Sequence, residues 1–164
     1  MPTIKNHQRS YMSNQDRASS SWLITILLSL GTAFSIFFIS ADLFNYYVGE
    51  LFRRELDAGL GFVFLFLFCL PVTFLFALVI LVSIGRQPTS VVKAVGIWLV
   101  SLIVGVGVGF LITWVIIVET ANNLKVAEEG SKLYTNIQTL ISLGFPTFSL
   151  IVYAIILNIL RHLS

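Results

Sequence analysis

Long apolar stretches separated by short polar segments dominate the chain. The apolar runs cover approximately residues 22–41, 60–84, 94–118 and 140–160. A helix of about 20 apolar residues crosses a hydrocarbon core roughly 30 Å thick. The pattern therefore predicts an all-α integral membrane protein whose four transmembrane helices pack in a bundle. In this prediction residues 22–164 form the transmembrane domain, and residues 1–21 form a polar cytoplasmic N-terminal tail.

The first run and the segment after it each leave alternatives open. A signal peptide competes with a transmembrane helix at 22–41, because basic residues precede the run. The run is longer than the usual signal-peptide core of about 7–15 residues, which favours an uncleaved helix. Residues 42–59 carry apolar side chains at helical spacing. They indicate a helical extension of the first span, an amphipathic helix at the membrane interface, or a loop that packs over the bundle.

Two prolines interrupt the second and fourth runs. Pro71 lies near the middle of 60–84, and Pro146 follows Gly144 early in 140–160. Proline lacks a backbone N–H and its ring clashes with the carbonyl group four residues earlier. The sequence therefore predicts a helix kink at each proline, with Thr73 available to hydrogen-bond a backbone group freed at the first.

Small residues mark the third run along one helical line. Ser101, Gly105 and Gly109 recur every four residues and so share a helix face. In lipid, where no hydrophobic force drives helices together, small residues let a neighbouring helix approach closely. We therefore expect this line to pack against another helix.

A second line, Gly96, Val100, Ile103 and Gly107, lies on roughly the opposite side of the same helix. Two opposed faces predict that one is used within the chain while the other is available to another chain. The first run has a matching small-residue segment, which we expect to dock on one of the two faces; it consists of Ser29, Gly31, Ala33 and Ser35.

Composition and charge support a membrane location and limit the partners. The 164 residues are 57% hydrophobic and 11% charged, well below the roughly 25% charge of soluble domains. A net charge of +2, with scattered basic residues, gives no indication of nucleic-acid binding. We expect the partners to be the lipid bilayer and either another membrane-protein subunit or a second copy of the chain.

The distribution of basic residues predicts the orientation. Six lysines and arginines fall in the N-terminal tail, the 85–93 loop and the C-terminus, against four on the other side. Because Lys and Arg are retained in the cytoplasm, both termini are predicted to be cytoplasmic. The chain has no Asn-x-Ser/Thr sequon, which agrees with a bacterial inner membrane.

The apolar runs lack the residues on which most membrane chemistry depends. No Asp, Glu, Lys, Arg or His lies inside a run, which argues against an ion-coupled carrier. His7 and His162 are near the termini, and Cys69 is the only cysteine, so no metal, haem or thiol-redox centre is expected. No nucleophile is placed beside a base. The sequence predicts a protein that is not an enzyme and binds no cofactor.

These observations favour a non-enzymatic polytopic membrane protein that acts through helix packing. It would serve as an accessory or assembly subunit of a membrane complex, or as an immunity- or exclusion-type protein.

Two other hypotheses remain at this stage. One is a small oligomeric transporter or channel for a neutral solute or an ion, with a hydroxyl-lined pore formed by Thr25, Ser29, Thr32, Ser101, Thr113 and Ser149. The other is an enzyme acting on lipid at the outer interface through one of Asp42, Glu50, Asp57 and Glu119.

Overall fold

The computed structural model of the chain describes residues 4–49, 63, 67, 69–84, 90–123 and 136–163, with side chains for 21–47, 63, 67, 69–84, 90–120 and 136–163. These residues are almost entirely helical. The helices are α1 (Ile4–Phe44), α2 (Leu70–Ser83), α3 (Val91–Asn123) and α4 (Phe145–Leu163). A π-helical turn, Asn45–Gly49, continues α1, and another, Leu140–Gly144, precedes α4.

Within the described residues, three helical stretches are long and apolar enough to cross a membrane. They are Ser21–Tyr47, Val91–Thr120 and Asn136–Leu163. The described part of the second predicted span is the shorter apolar helix Leu70–Ser83, and most of its N-terminal part lies outside the described residues. The helical membrane character predicted from the sequence is therefore supported.

Helix α1 extends beyond its apolar run in both directions. Its 41 residues correspond to about 60 Å, twice the thickness of a hydrocarbon core. Helical backbone begins at Ile4, within the segment predicted to be a polar tail. At the other end it continues through the π-helical turn to Gly49, so residues 42–49 extend the first span. Residues 50–59 lie outside the described part.

Both prolines directly follow widened helical turns. Leu67 and Cys69 are π-helical just before Pro71, and the Leu140–Gly144 turn ends just before Pro146. A π turn changes the local hydrogen-bond pattern where proline removes a donor and crowds the carbonyl four residues back. Pro71 lies next to the N-terminal bound of α2, and the helical residues Leu67 and Cys69 precede it. The kinks expected at Pro71 and Pro146 stay predictions.

The most extensive contacts join α3 to α4 and α1 to α2. The order of contacts gives the relative directions of the helices. Gly105 and Gly109 of α3 meet Tyr153 and Ser149 of α4, in reverse order, so these two helices are antiparallel.

Two clusters of buried apolar side chains hold the helices together. The larger centres on residues from α1, the π turn and the start of α4, including Phe44, Ile141 and Phe145. The smaller includes Leu102 of α3 and Tyr153 of α4. All five side chains are less than a tenth exposed. Burial of this kind fixes the helices relative to one another through close van der Waals packing.

Candidate helix-packing site

The line of Ser101, Gly105 and Gly109 is covered by α4. An ideal Cβ atom built on Gly105 would lie 2.9 Å from the Ser149 carbonyl oxygen and 2.9 Å from Tyr153 Cβ. One built on Gly109 would overlap Ser149 Oγ and lie 2.9 Å from the Ser149 backbone nitrogen. Only glycine admits backbone at this distance. We call this line the closed face of α3.

Hydroxyl groups lie within the contact between α3 and α4. Ser101 Oγ donates to the Ile97 carbonyl oxygen at 2.7 Å. Thr113 Oγ1 and Ser149 Oγ are buried and make no hydrogen bond to any other described residue. The close approach at Gly109 places Ser149 Oγ against the α3 backbone. These side chains therefore act mainly as small packing groups.

The line of Gly96, Val100, Ile103 and Gly107 faces away from the rest of the described chain. An ideal Cβ atom on Gly96 or Gly107 would meet no described atom within 4 Å. Val100 is 48% exposed and Ile103 is 63% exposed. We call this line the open face of α3. The open face is apolar and no described helix covers it. Its two glycines leave space beside the backbone of α3.

The small-residue segment of α1 is buried or half-buried and reaches α3 at one end of the helix. Ser29 and Ala33 are fully buried, but the closed face of α3 contacts α4 and the open face contacts no described helix. Helix α1 instead reaches α3 beside Trp98. The Trp98 Nε1–H group donates to Thr32 Oγ1 at 2.8 Å, and an ideal Cβ on Gly31 would lie 3.1 Å from the Trp98 ring. The Trp98 side chain therefore lies between α1 and the backbone of α3 at this contact.

The six hydroxyl residues proposed to line a pore all lie inside the chain. Each of them is less than a tenth exposed. Four of them, Thr25, Ser29, Thr32 and Ser101, donate to the carbonyl oxygen four residues earlier in their own helix. Such bonds satisfy a hydroxyl locally without a partner from another helix. A pore between copies of the chain would require these groups on the surface, and the structure places them in the interior.

Cys69 is buried at the start of α2. Its Sγ atom lies 3.7 Å from Thr73 Oγ1, and both residues border a groove of about 270 Å³ between α2 and α4. The surroundings are those of a small apolar residue. Among the described residues, no three His, Cys, Asp or Glu side chains come together as a metal site would require.

Two of the four acidic residues considered for lipid chemistry lie in the described part of the chain. Asp42 and Glu119 are exposed on α1 and α3, and Glu50 and Asp57 lie outside the described residues.

Asp42, however, borders a cleft that the sequence did not predict. The cleft has a volume of about 430 Å³ and lies between α1 and α3; its walls are Ile39, Asp42, Leu43, Tyr46, Tyr47, Phe110 and Trp114. The spacings within each helix are visible in the sequence, but the meeting of the two stripes depends on how α1 and α3 pack.

Comparisons with known proteins add no assignment. The chain matches no protein-family model, no curated protein and no solved structure.

Proposed function

We propose that this protein is a non-enzymatic, polytopic inner-membrane protein that acts through helix packing. It crosses the membrane four times as an up-and-down bundle, with both termini in the cytoplasm. Its role is that of an accessory or assembly subunit of a membrane complex, or of an immunity- or exclusion-type protein. The partner is another membrane-protein subunit or a second copy of the chain.

The observation that carries this proposal is the contrast between the two faces of α3. The closed face uses Gly105 and Gly109 to bring α4 into backbone contact. The open face has the same kind of surface, with Gly96 and Gly107 exposed and no described helix on it. Small residues in a membrane helix favour close association with another helix. A helix from a second protein fits the open face for the same physical reason that α4 fits the closed one.

The order of helix contacts supports the proposed up-and-down arrangement. Helices α3 and α4 are antiparallel, and a short connection of a few residues joins α2 to α3. Short connections favour antiparallel directions in consecutive helices, although α2 and α3 make little contact with each other within the described residues. Together with six basic residues assigned to one side and four to the other, this arrangement supports cytoplasmic termini.

The test is site-specific photocrosslinking from the open face in native membranes. A photoreactive residue at Ile103, which is 63% exposed on that face, should give a discrete protein adduct. The control position is Ile155 on α4, which is 53% exposed and does not belong to the face. It should crosslink to lipid alone. Lipid alone at both positions would contradict the proposal.

A substitution series then measures the strength of the contact. Gly107→Leu should weaken association by about tenfold or more, equivalent to about 1.4 kcal/mol, because the leucine side chain holds the partner helix away. The matched control is Val115→Leu, which also enlarges an exposed position on α3 but lies off the open face. Particle size in mild detergent and recovery of the crosslinked partner report association. Equal association of both variants, or a wild-type chain that is a monomer without any partner, would refute the proposal.

A further inference from the structure

The cleft between α1 and α3 combines aromatic walls with one carboxylate. Ile39, Asp42, Leu43, Tyr46 and Tyr47 recur along α1 at helical spacing and form one wall. The opposite wall consists of Phe110 and Trp114, one turn apart on α3. The volume of about 430 Å³ lies within the range of about 300–1,000 Å³ that is typical of small-molecule sites.

The aromatic side chains that border the cleft are only partly covered. Tyr46 is 61% exposed and Trp114 is 47% exposed. The rings of Tyr46 and Tyr47 are nearly perpendicular, with centroids 5.2 Å apart and an interplanar angle of 89°. This is an edge-to-face pair. A π-helical turn carries both tyrosines, and such turns recur at functional sites.

Asp42 supplies the charge of the cleft. It is the only charged residue in the apolar stretch Ser21–Tyr47. Among the described residues, no basic side chain borders the cleft beside Asp42. Aromatic residues alone would be explained by the belt that membrane proteins place at the headgroup level. A carboxylate among four aromatic rings is not part of that belt.

We propose that this cleft binds an organic ammonium cation. Aromatic faces attract cations through the quadrupole of the ring, and quaternary ammonium groups are recognised by aromatic cages of this composition. The Asp42 carboxylate adds charge complementarity and fixes the orientation of the ligand. The site goes beyond the proposed packing function, since it requires neither an oligomer nor a protein partner.

The position of the cleft indicates two sources for the ammonium group. Asp42 is five residues from the end of Ser21–Tyr47, and Trp114 is six residues from the end of Val91–Thr120. Both are within about 9 Å of a span end at 1.5 Å per residue, which is near the headgroup level. The ligand is therefore either the headgroup of a lipid or a free ammonium compound.

The test uses the full-length chain in mild detergent and follows tryptophan fluorescence during titration with choline chloride at constant ionic strength. Choline should produce a saturable change that is absent in Trp114→Leu. Its uncharged isostere, 3,3-dimethylbutanol, should bind at least about tenfold more weakly, because it has the same shape without the cation. This comparison uses the wild-type chain and does not depend on how any variant folds. Equal binding of the two compounds, or no saturable change with choline, would overturn the proposal.

Substitutions then test whether the Asp42 carboxylate is the charge that attracts choline. Asp42→Asn should weaken choline binding by about tenfold or more, whereas Tyr46→Phe, which keeps the ring, should change it by less than about threefold. The matched control is Glu119→Gln, which also converts an exposed carboxylate to an amide but lies outside the cleft. It should leave binding unchanged. Equal losses in Asp42→Asn and Glu119→Gln would show only general electrostatic attraction and would overturn the site.

Binding measurements in nanodiscs distinguish a lipid headgroup from a free ammonium compound as the natural ligand. In phosphatidylglycerol nanodiscs, free choline should bind if the natural ligand is soluble. If the ligand is a lipid, phosphatidylcholine or phosphatidylethanolamine added to those nanodiscs should compete with choline. Each of these results supports the ammonium site. Failure of every ammonium compound to bind in either environment would refute it while leaving the packing proposal untouched.

Discussion

Replacing Gly105 by alanine places a methyl group where the backbone of α4 already lies. The new Cβ atom would be 2.9 Å from the Ser149 carbonyl oxygen, 2.9 Å from Tyr153 Cβ and 3.0 Å from Tyr153 Cα. None of these atoms is the end of a flexible side chain, so relief requires the two helices to separate. Overpacking of this kind typically costs about 1–3 kcal/mol. We expect the upper part of that range here.

Gly107→Ala is the matched control, because the same methyl group would meet nothing within 4 Å. Both substitutions lie inside the same helix and gain the same intrinsic helix propensity, about 1 kcal/mol. That gain cancels in the difference between the variants. The difference therefore isolates the packing cost, about 2–3 kcal/mol, or roughly 30- to 150-fold in the unfolding equilibrium.

Equilibrium unfolding in mixed micelles, followed by far-ultraviolet circular dichroism, measures both free energies of unfolding. The larger substitutions extend the comparison. Gly105→Leu should prevent correct folding of the bundle, whereas Gly107→Leu should leave folding intact and alter association. Free energies of unfolding for Gly105→Ala and Gly107→Ala that agree within about 0.5 kcal/mol would refute the distinction between the closed and open faces.

Three further measurements test other parts of the structure. Thr32→Val leaves the Trp98 N–H group without its acceptor and should lower the free energy of unfolding by about 0.6–1.7 kcal/mol. In a double-mutant cycle, the stability losses of Thr32→Val and Trp98→Phe should not be additive. Ser149→Ala should change the free energy of unfolding by less than about 0.5 kcal/mol, because the Ser149 hydroxyl makes no hydrogen bond to another described residue. The same substitution should partly rescue Gly109→Ala, because the methyl group added at position 109 would overlap Ser149 Oγ. Full additivity of those two substitutions would contradict the proposed overlap. Fluorescent-protein fusions should be active at both termini and alkaline-phosphatase fusions inactive at both; the opposite pattern at either end would overturn the proposed orientation.

The sequence alone determined the helical membrane character and the geometry within each helix. A run of about 20 apolar residues needs internal backbone hydrogen bonds in lipid, and a helix provides them locally. The period of 3.6 residues then fixes which side chains share a face. The two opposed lines on α3 follow from that period alone, and so do the stripes that become the walls of the cleft.

The tertiary structure decided which faces meet. Ser29 and Ala33 of α1 resemble the small-residue lines of α3 in composition, yet α4 occupies the closed face and α1 meets α3 through Trp98. In lipid all these surfaces are similarly apolar, so the choice among them depends on detailed shape rather than on hydrophobicity. The cleft between α1 and α3 also depends on which helix faces meet. Asp42 and Trp114 are 72 positions apart in the chain, and only the packing of α1 beside α3 brings a carboxylate and aromatic rings to one space.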